Sequence, residues 1–130
     1  MSALEETLEL LEWPRLCQHL SSFTSTLQGR RRCCRGSLPE SLPESLILQA
    51  KTQEMATLDG LLDGGLSFQG VADLDLILLR CSKGGVASGE ELLAVADTLA
   101  AARRLRRQID DPELRPVCTA LLSDVATLPE

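Results

Sequence analysis

The sequence predicts an all-α fold, an irregular helical bundle of about five or six helices with one exposed loop around residues 29–45. Its 130 residues suit a single helical domain, 1–130. Three observations carry this. Hydrophobic residues make up 44% of the chain, enough for a core, and Leu and Ala dominate them, with two Phe, one Trp and no Tyr. Strands draw on β-branched and aromatic residues, so this composition favours helices. Apolar residues recur at spacings of three and four, and Ser, Pro and Gly fall where such runs begin and end.

Leu4, Leu8 and Leu11 mark one face of a first helix over 2–12. Trp13-Pro14 interrupts it, and Pro14 suits the first turn of a second helix, where no amide donor is needed. Leu16, Leu20, Phe23 and Leu27 continue one stripe, which Gly29 is expected to stop. The tandem "SLPESLPES" offers two helix starts, each with a Ser cap, an early proline and an acid near the positive helix end; the second is favoured. Leu48, Met55, Leu58 and Leu62 then form a stripe over 43–62, widened by Ile47, Ala50 and Leu61, and "DGG" ends it. Asp73 can cap a short helix to Arg80, with a strand in "LDLILL" as the rival. Over 88–109 the stripe is Leu92, Val95, Leu99, Ala102, Leu105 and Ile109. "DDPEL" caps a last helix with Leu114, Val117, Leu121 and Val125 inward. No repeat of solenoid period is present.

A formal net charge of −6 argues against the whole surface binding nucleic acid, although "GRRRCCR" and "RRLRR" are local basic clusters. No apolar run approaches the roughly 20 residues of a membrane helix, and the acidic amphipathic N-terminus does not read as a signal peptide. Five irregularly spaced cysteines suggest reduced thiols and a cytoplasmic protein.

"KGGVASGEEL" raises the question of a phosphate loop. A Walker loop places Lys-Ser/Thr after its last glycine, whereas here Lys83 precedes Gly84 and Gly85; the spacing fails the dinucleotide fingerprint too. Ser88 and Glu91 form a capping box, and Glu90 adds a second charge, so carboxylates occupy the helix end a phosphate would want. Gly84, Gly85, Ser88 and Glu91 are therefore the turn and cap of a helix–helix corner. Cys17, His19, Cys33 and Cys34 lack the spacing of a zinc site, and Cys17 reads as a small buried apolar residue. Scattered carboxylates and one histidine give no catalytic set, so no catalytic residue, metal or cofactor is expected in this chain. Arg103, Arg106 and Arg107 share a helix face and are the candidate nucleic-acid contact; Arg104 lies off it. The plainer account is a basic last turn paired to Asp110 and Asp111.

With these elements in place, the sequence resembles the MutS2 family of the MutS superfamily. "LEETLELLEWPRLCQHLSSFTSTLQGRR" is similar to the start of those proteins, and "LILQAKTQEMATL" to their following helix. The most specific match is "LSFQGVADLDLILLRCSKGGVASGEELLAVADTLAAARRLRR". There Gly70, Asp73, Gly84, Gly85, Val86, Ser88, Glu90, Glu91, Leu92, Thr98, Leu99, Ala101, Ala102, Arg103 and Leu105 fall on family positions. "CCRGSLPESLPES" departs from the more acidic stretch the family shows. The resemblance implies an N-terminal helical core or lever segment without catalytic motifs, ending at "VATLPE" where the family's core continues. It implies a longer homodimeric protein that takes ATP and Mg in a separate ATPase domain, and often ends in an endonuclease-like domain. Branched or recombining DNA, suppression of recombination and stalled ribosomes are the associations it brings. The rival expectation is a free-standing α-helical adaptor that binds a partner protein.

Overall fold

The computed structural model describes residues 2–125, so of "VATLPE" only Val125 lies within it. Among the described residues every regular element is a helix: α1 (Ala3–Leu10), α2 (Trp13–Ser21), α3 (Leu27–Cys34), α4 (Leu42–Leu61), α5 (Asp75–Ser82), α6 (Gly89–Ile109) and α7 (Pro116–Leu121), with a closing 3₁₀ turn, Leu122–Asp124. The strand rival over "LDLILL" is thus settled as helix. The chain divides into two compact units, one up to Leu38 and one from Pro39 onward, and the boundary falls inside the stretch read as a loop.

In the first unit α1 opens with a capping box between Ser2 and Glu5. The corner to α2 turns on Glu12, a non-glycine residue at φ +52°. The second helix differs from expectation. It stops at Ser21, and α3 begins at Leu27, so Gly29 lies inside a helix rather than ending one. The cause is "SSFTST". Ser21, Ser22 and Thr24 turn their hydroxyls onto the carbonyls of Gln18, His19 and Ser21, which competes with the helical ladder. Thr26 then restarts the helix by accepting the Gly29 amide at 3.0 Å. As α3 takes up residues 27–34, the coil shrinks to 35–41.

The α2–α3 packing inverts the sequence pattern. Cys17 and Ser21 are buried, whereas Leu16 and Leu20 are both 54% exposed and Phe23 is 72% exposed. Gly36 follows α3 with its Cα close to Cys17; a Cβ there would lie 3.4 Å from the thiol sulfur and 3.2 Å from the Cys33 carbonyl. Trp13 Nε1 donates to the Gly36 carbonyl at 2.9 Å and ties the end of α3 back to the start of α2.

In the second unit α4 starts from the second "SLPE" copy, with Ser41 accepting the Glu44 amide. Its one buried residue is Leu58. After α4, Asp59 takes the Leu66 amide at 2.6 Å and so directs the chain through the glycine turn. The loop before α5 lies on α6. Gly70, at φ +91°, approaches so closely that a Cβ would meet the Asp97 carbonyl at 3.3 Å. Thr98 Oγ1 accepts the Ala72 amide at 3.1 Å and donates its proton to the Ala94 carbonyl at 2.8 Å, with the Gly70 carbonyl a longer acceptor at 3.3 Å. Ala101, wholly buried, fills the space below. The inward face of α6 therefore runs through Ala94, Thr98, Ala101 and Leu105, while Leu92 and Leu99, expected inside, are exposed. The same shift occurs at the C-terminal end: Cys118 and Leu122 are buried, and Leu114, Leu121 and Val125 are exposed. Replacing Gly70 with Ala should cost about 1–3 kcal/mol, because it forces a side chain into positive φ against a helix backbone. A urea titration of the chain followed by circular dichroism reads this directly; an unchanged midpoint would rule out the close approach.

Candidate functional site

The glycine corner between α5 and α6 is the most closely specified feature of the second unit. Gly84, at φ +84°, turns the chain out of α5. Gly85 is needed for space instead: a Cβ there would sit 2.6 Å from Arg80 Cγ and 2.9 Å from the Arg80 carbonyl oxygen. Ser88 caps α6 by accepting the Glu91 amide at 3.3 Å, and the Glu91 carboxylate takes the Ser88 amide at 2.8 Å. The same carboxylate oxygen forms a salt bridge with Arg80 of α5. Arg80 was not singled out in the sequence; nothing in its local pattern marks it. The corner does not fit a nucleotide, because the Ser88 amide already binds the Glu91 carboxylate, the Glu91 amide binds Ser88 Oγ, and Arg80 is turned onto that same carboxylate.

The Arg80 guanidinium and then the Ser88 amide lower the Glu91 pKa to about 2 from an ordinary 4.5. A depressed carboxylate stabilises the fold fully above its unfolded pKa. That contribution is lost as pH falls from about 4.5 toward 2.

The three arginines expected to share a nucleic-acid face separate. Arg103 and Arg107 are exposed. Arg106 is half-buried, and its Nη1 donates to the carbonyls of Leu122, at 3.4 Å, and Val125, at 2.6 Å, holding the closing turn. Arg104, read as off the face, donates to the Ser67 and Gln69 carbonyls and fixes the loop before α5. Asp111 pairs with Arg115 at 3.5 Å and caps the turn formed by "DPEL". The last helix therefore starts at Pro116 rather than from "DDPEL".

That helix has no side-chain cap of its own. Glu54 supplies one from α4: its two oxygens take the amides of Val117, at 3.1 Å, and Cys118, at 2.7 Å. Burial acts to raise the Glu54 pKa, but the Cys118 and Val117 amides and the nearby Arg115 outweigh it and hold the carboxyl below its usual range. Burial, and then the Glu54 carboxylate beside it, push the Cys118 thiol up. A cap delivered from over sixty residues away leaves no short-range signal in a sequence. In the first unit Cys17 is buried as expected, and His19 packs edge-on against Phe23 at 5.1 Å. Among the described residues no three His, Cys, Asp or Glu side chains gather as a metal site, and no helix is long and apolar enough to cross a membrane.

The residues with the clearest structural duties, Gly70, Gly84, Gly85, Ser88, Glu91, Thr98 and Ala101, are among those that carried the resemblance. The comparisons bear on the same stretch. "Endonuclease MutS2" of Synechocystis sp. is 43% identical over 130 residues, the whole of this chain. This is MutS2-family sequence. MutS2 of Symbiobacterium thermophilum is 34% identical over 122 residues, 90% of the chain, and that of Bacillus mycoides 30% over 109 residues, 83% of it. The chain spans only 16%, 15% and 14% of these three relatives' own lengths, so it corresponds to one segment of a MutS2 protein. No family model matches the chain, and no solved structure does.

Two substitutions check this geometry. Glu91→Gln should remove the part of the acid sensitivity that lies between about pH 4.5 and pH 2. Acid titrations of parent and variant by circular dichroism should therefore differ above that window and converge within it; parallel curves would discount the Arg80–Glu91 link. Glu54→Ala should speed hydrogen exchange at the Val117 and Cys118 amides and expose the Cys118 thiol to alkylation. Unaltered exchange would mean that α7 does not depend on this cap.

Proposed function

We propose that the chain is the non-catalytic N-terminal core or lever segment of a MutS2-type, DNA-binding ATPase. One observation carries this reading: the helices bury their small residues and turn their leucines outward. Leu16, Leu20 and Phe23 on and after α2, and Leu92, Leu93 and Leu99 on α6, form apolar faces that a finished protein covers. The relatives supply more than five-sixths of their length beyond the matched segment, ample polypeptide to cover them. The segment then serves mechanically, passing the state of an ATPase elsewhere in the protein to the parts that engage DNA or a stalled ribosome. Recombination suppression and any endonuclease activity belong to the full-length protein, a cytoplasmic homodimer. ATP and Mg would be held by that ATPase domain and not by this segment, whose glycine corner is filled. Arg103 and Arg107, exposed on α6, are free to meet phosphate.

The same outward leucines would also serve a free-standing α-helical adaptor that docks on a partner protein. The test is a pair of measurements on Leu16→Ser/Leu20→Ser. In the 130-residue chain the change should alter stability by no more than about 0.5 kcal/mol, as surface substitutions do. In the polypeptide extended to the reading frame's natural stop it should cost at least about 4 kcal/mol, the scale for two buried leucines. Equal, small effects in both, or a reading frame with no downstream Walker loop, would favour the adaptor. ATP turnover by the isolated chain would overturn the reading outright.

A further inference from the structure

The second basic cluster, "GRRRCCR", is not a loop. Arg30, Arg31 and Arg32 lie in α3 and Arg35 caps its C-terminal end, and all four are exposed. Gly29 and Cys33 take the opposite side of the helix and are half-buried. At about 100° per residue, Arg30, Cys34, Arg31 and Arg35 sweep one outward arc, with Arg32 beside it. The backbone that presents them is fixed by the Thr26 cap at one end and by the Trp13–Gly36 hydrogen bond at the other.

Charge in this unit is segregated. Its acids, Glu5, Glu6, Glu9 and Glu12, all precede residue 13. Among the described residues Arg30, Arg32 and Arg35 form no ion pair, while Glu12 pairs with Arg15. A basic last turn complements the helix dipole, but that attraction fades within one turn and one or two charges satisfy it. Arg30, Arg32 and Arg35, close together on one short helix, repel one another, and an external anion that tracks several at once relieves this. All four cations of the cluster are guanidinium rather than ammonium, the group whose planar fork suits phosphate. From Arg30 to Arg35 the helix axis advances about 7.5 Å, comparable to the separation of neighbouring phosphates on one strand, and the long guanidinium side chains widen that reach.

We propose that the outward face of α3 is a binding surface for the phosphate backbone of a nucleic acid. It carries no aromatic side chain, and its one amide, Gln28 between Arg35 and Arg32, already has a partner within the protein, so the face positions a strand without selecting its sequence. The surface rests on α3 alone and not on the family reading, and it is distinct from the Arg103/Arg107 pair on α6.

The test uses the 130-residue chain and a short fluorescein-labelled DNA duplex of arbitrary sequence, followed by anisotropy from about 50 mM to about 200 mM salt. Arg30→Ala/Arg32→Ala/Arg35→Ala should weaken binding at least about tenfold at the low salt. It should also flatten the slope of log K against log salt by about 2 to 3, the release expected for three phosphate contacts. Arg103→Ala/Arg107→Ala should do less, and a scrambled duplex should bind equally well. Circular dichroism of the triple variant should match the parent, since the three side chains are exposed and hold no hydrogen bond or ion pair among the described residues. An independent readout is Cys34, exposed on the same arc: the duplex should slow its alkylation while leaving that of Cys81, exposed on α5, unchanged. No binding by the parent, equal binding by the triple variant, or unprotected Cys34 would each overturn the proposal. So would arginine-dependent self-association of the chain in place of DNA binding, since the acidic α1 of a second copy would then be the ligand.

Discussion

Close approach of backbones through small residues governs this structure. Gly70 rests on the α6 backbone because neither it nor Ala101 carries a side chain large enough to hold them apart, and Thr98 joins loop and helix by accepting the Ala72 amide. In the first unit Gly36 lies against the Cys17 side chain, where a Cβ would be 3.4 Å from the sulfur. Each contact brings main-chain polar groups near side-chain partners, so the hydrogen bonds that fix the loops follow from the packing. Larger residues at these positions would separate the elements and leave Thr98 without the Ala72 amide, and Arg104 and Trp13 without the carbonyls they now engage.

That choice dictates what happens to the leucines. A helix that spends its narrow face on a neighbour must turn its wide face elsewhere, and here the wide faces carry the bulk of the apolar side chains. Among the described residues the buried apolar side chains are few: Cys17, Leu58, Ala101, Cys118 and Leu122. A segment so organised is suited to being one layer of something larger, which agrees with the small share of each MutS2 relative that it matches. Its regularity lies in corners and caps, and its adhesive surface lies outside.

Much of the element order was legible in the sequence because it is written locally. Ser41 and Ser88 start helices with side chains that reach only three residues ahead, and Gly84 ends one with its own φ. The break at "SSFTST" was missed because the leucine-like period runs straight across it, although the cluster of hydroxyl residues was itself the signal. The face that α6 buries was placed only in part: Val95, Ala102, Leu105 and Ile109 are half-buried as expected, but Leu92 and Leu99 are exposed, because periodicity reports where large apolar residues lie and not which of them pack. At the glycine corner the cap was legible and Arg80 was not, since its partner lies eleven residues away across a turn. Arg106 looked equivalent to Arg103 and Arg107 until the carbonyls it serves were in place. A run of identical charges hides which members are structural.

The Glu54 cap has a consequence for how the second unit holds together. Six residues are too few for α7 to persist by itself, since its nucleation cost exceeds what so short a helix returns. The group that offsets that cost is built into α4, and closing the intervening loop must be compensated before the two can meet. The stability of α7 is therefore contingent on α4 being formed. During synthesis the acceptor emerges first, and the last helix acts as a latch that holds only where α4 is in place.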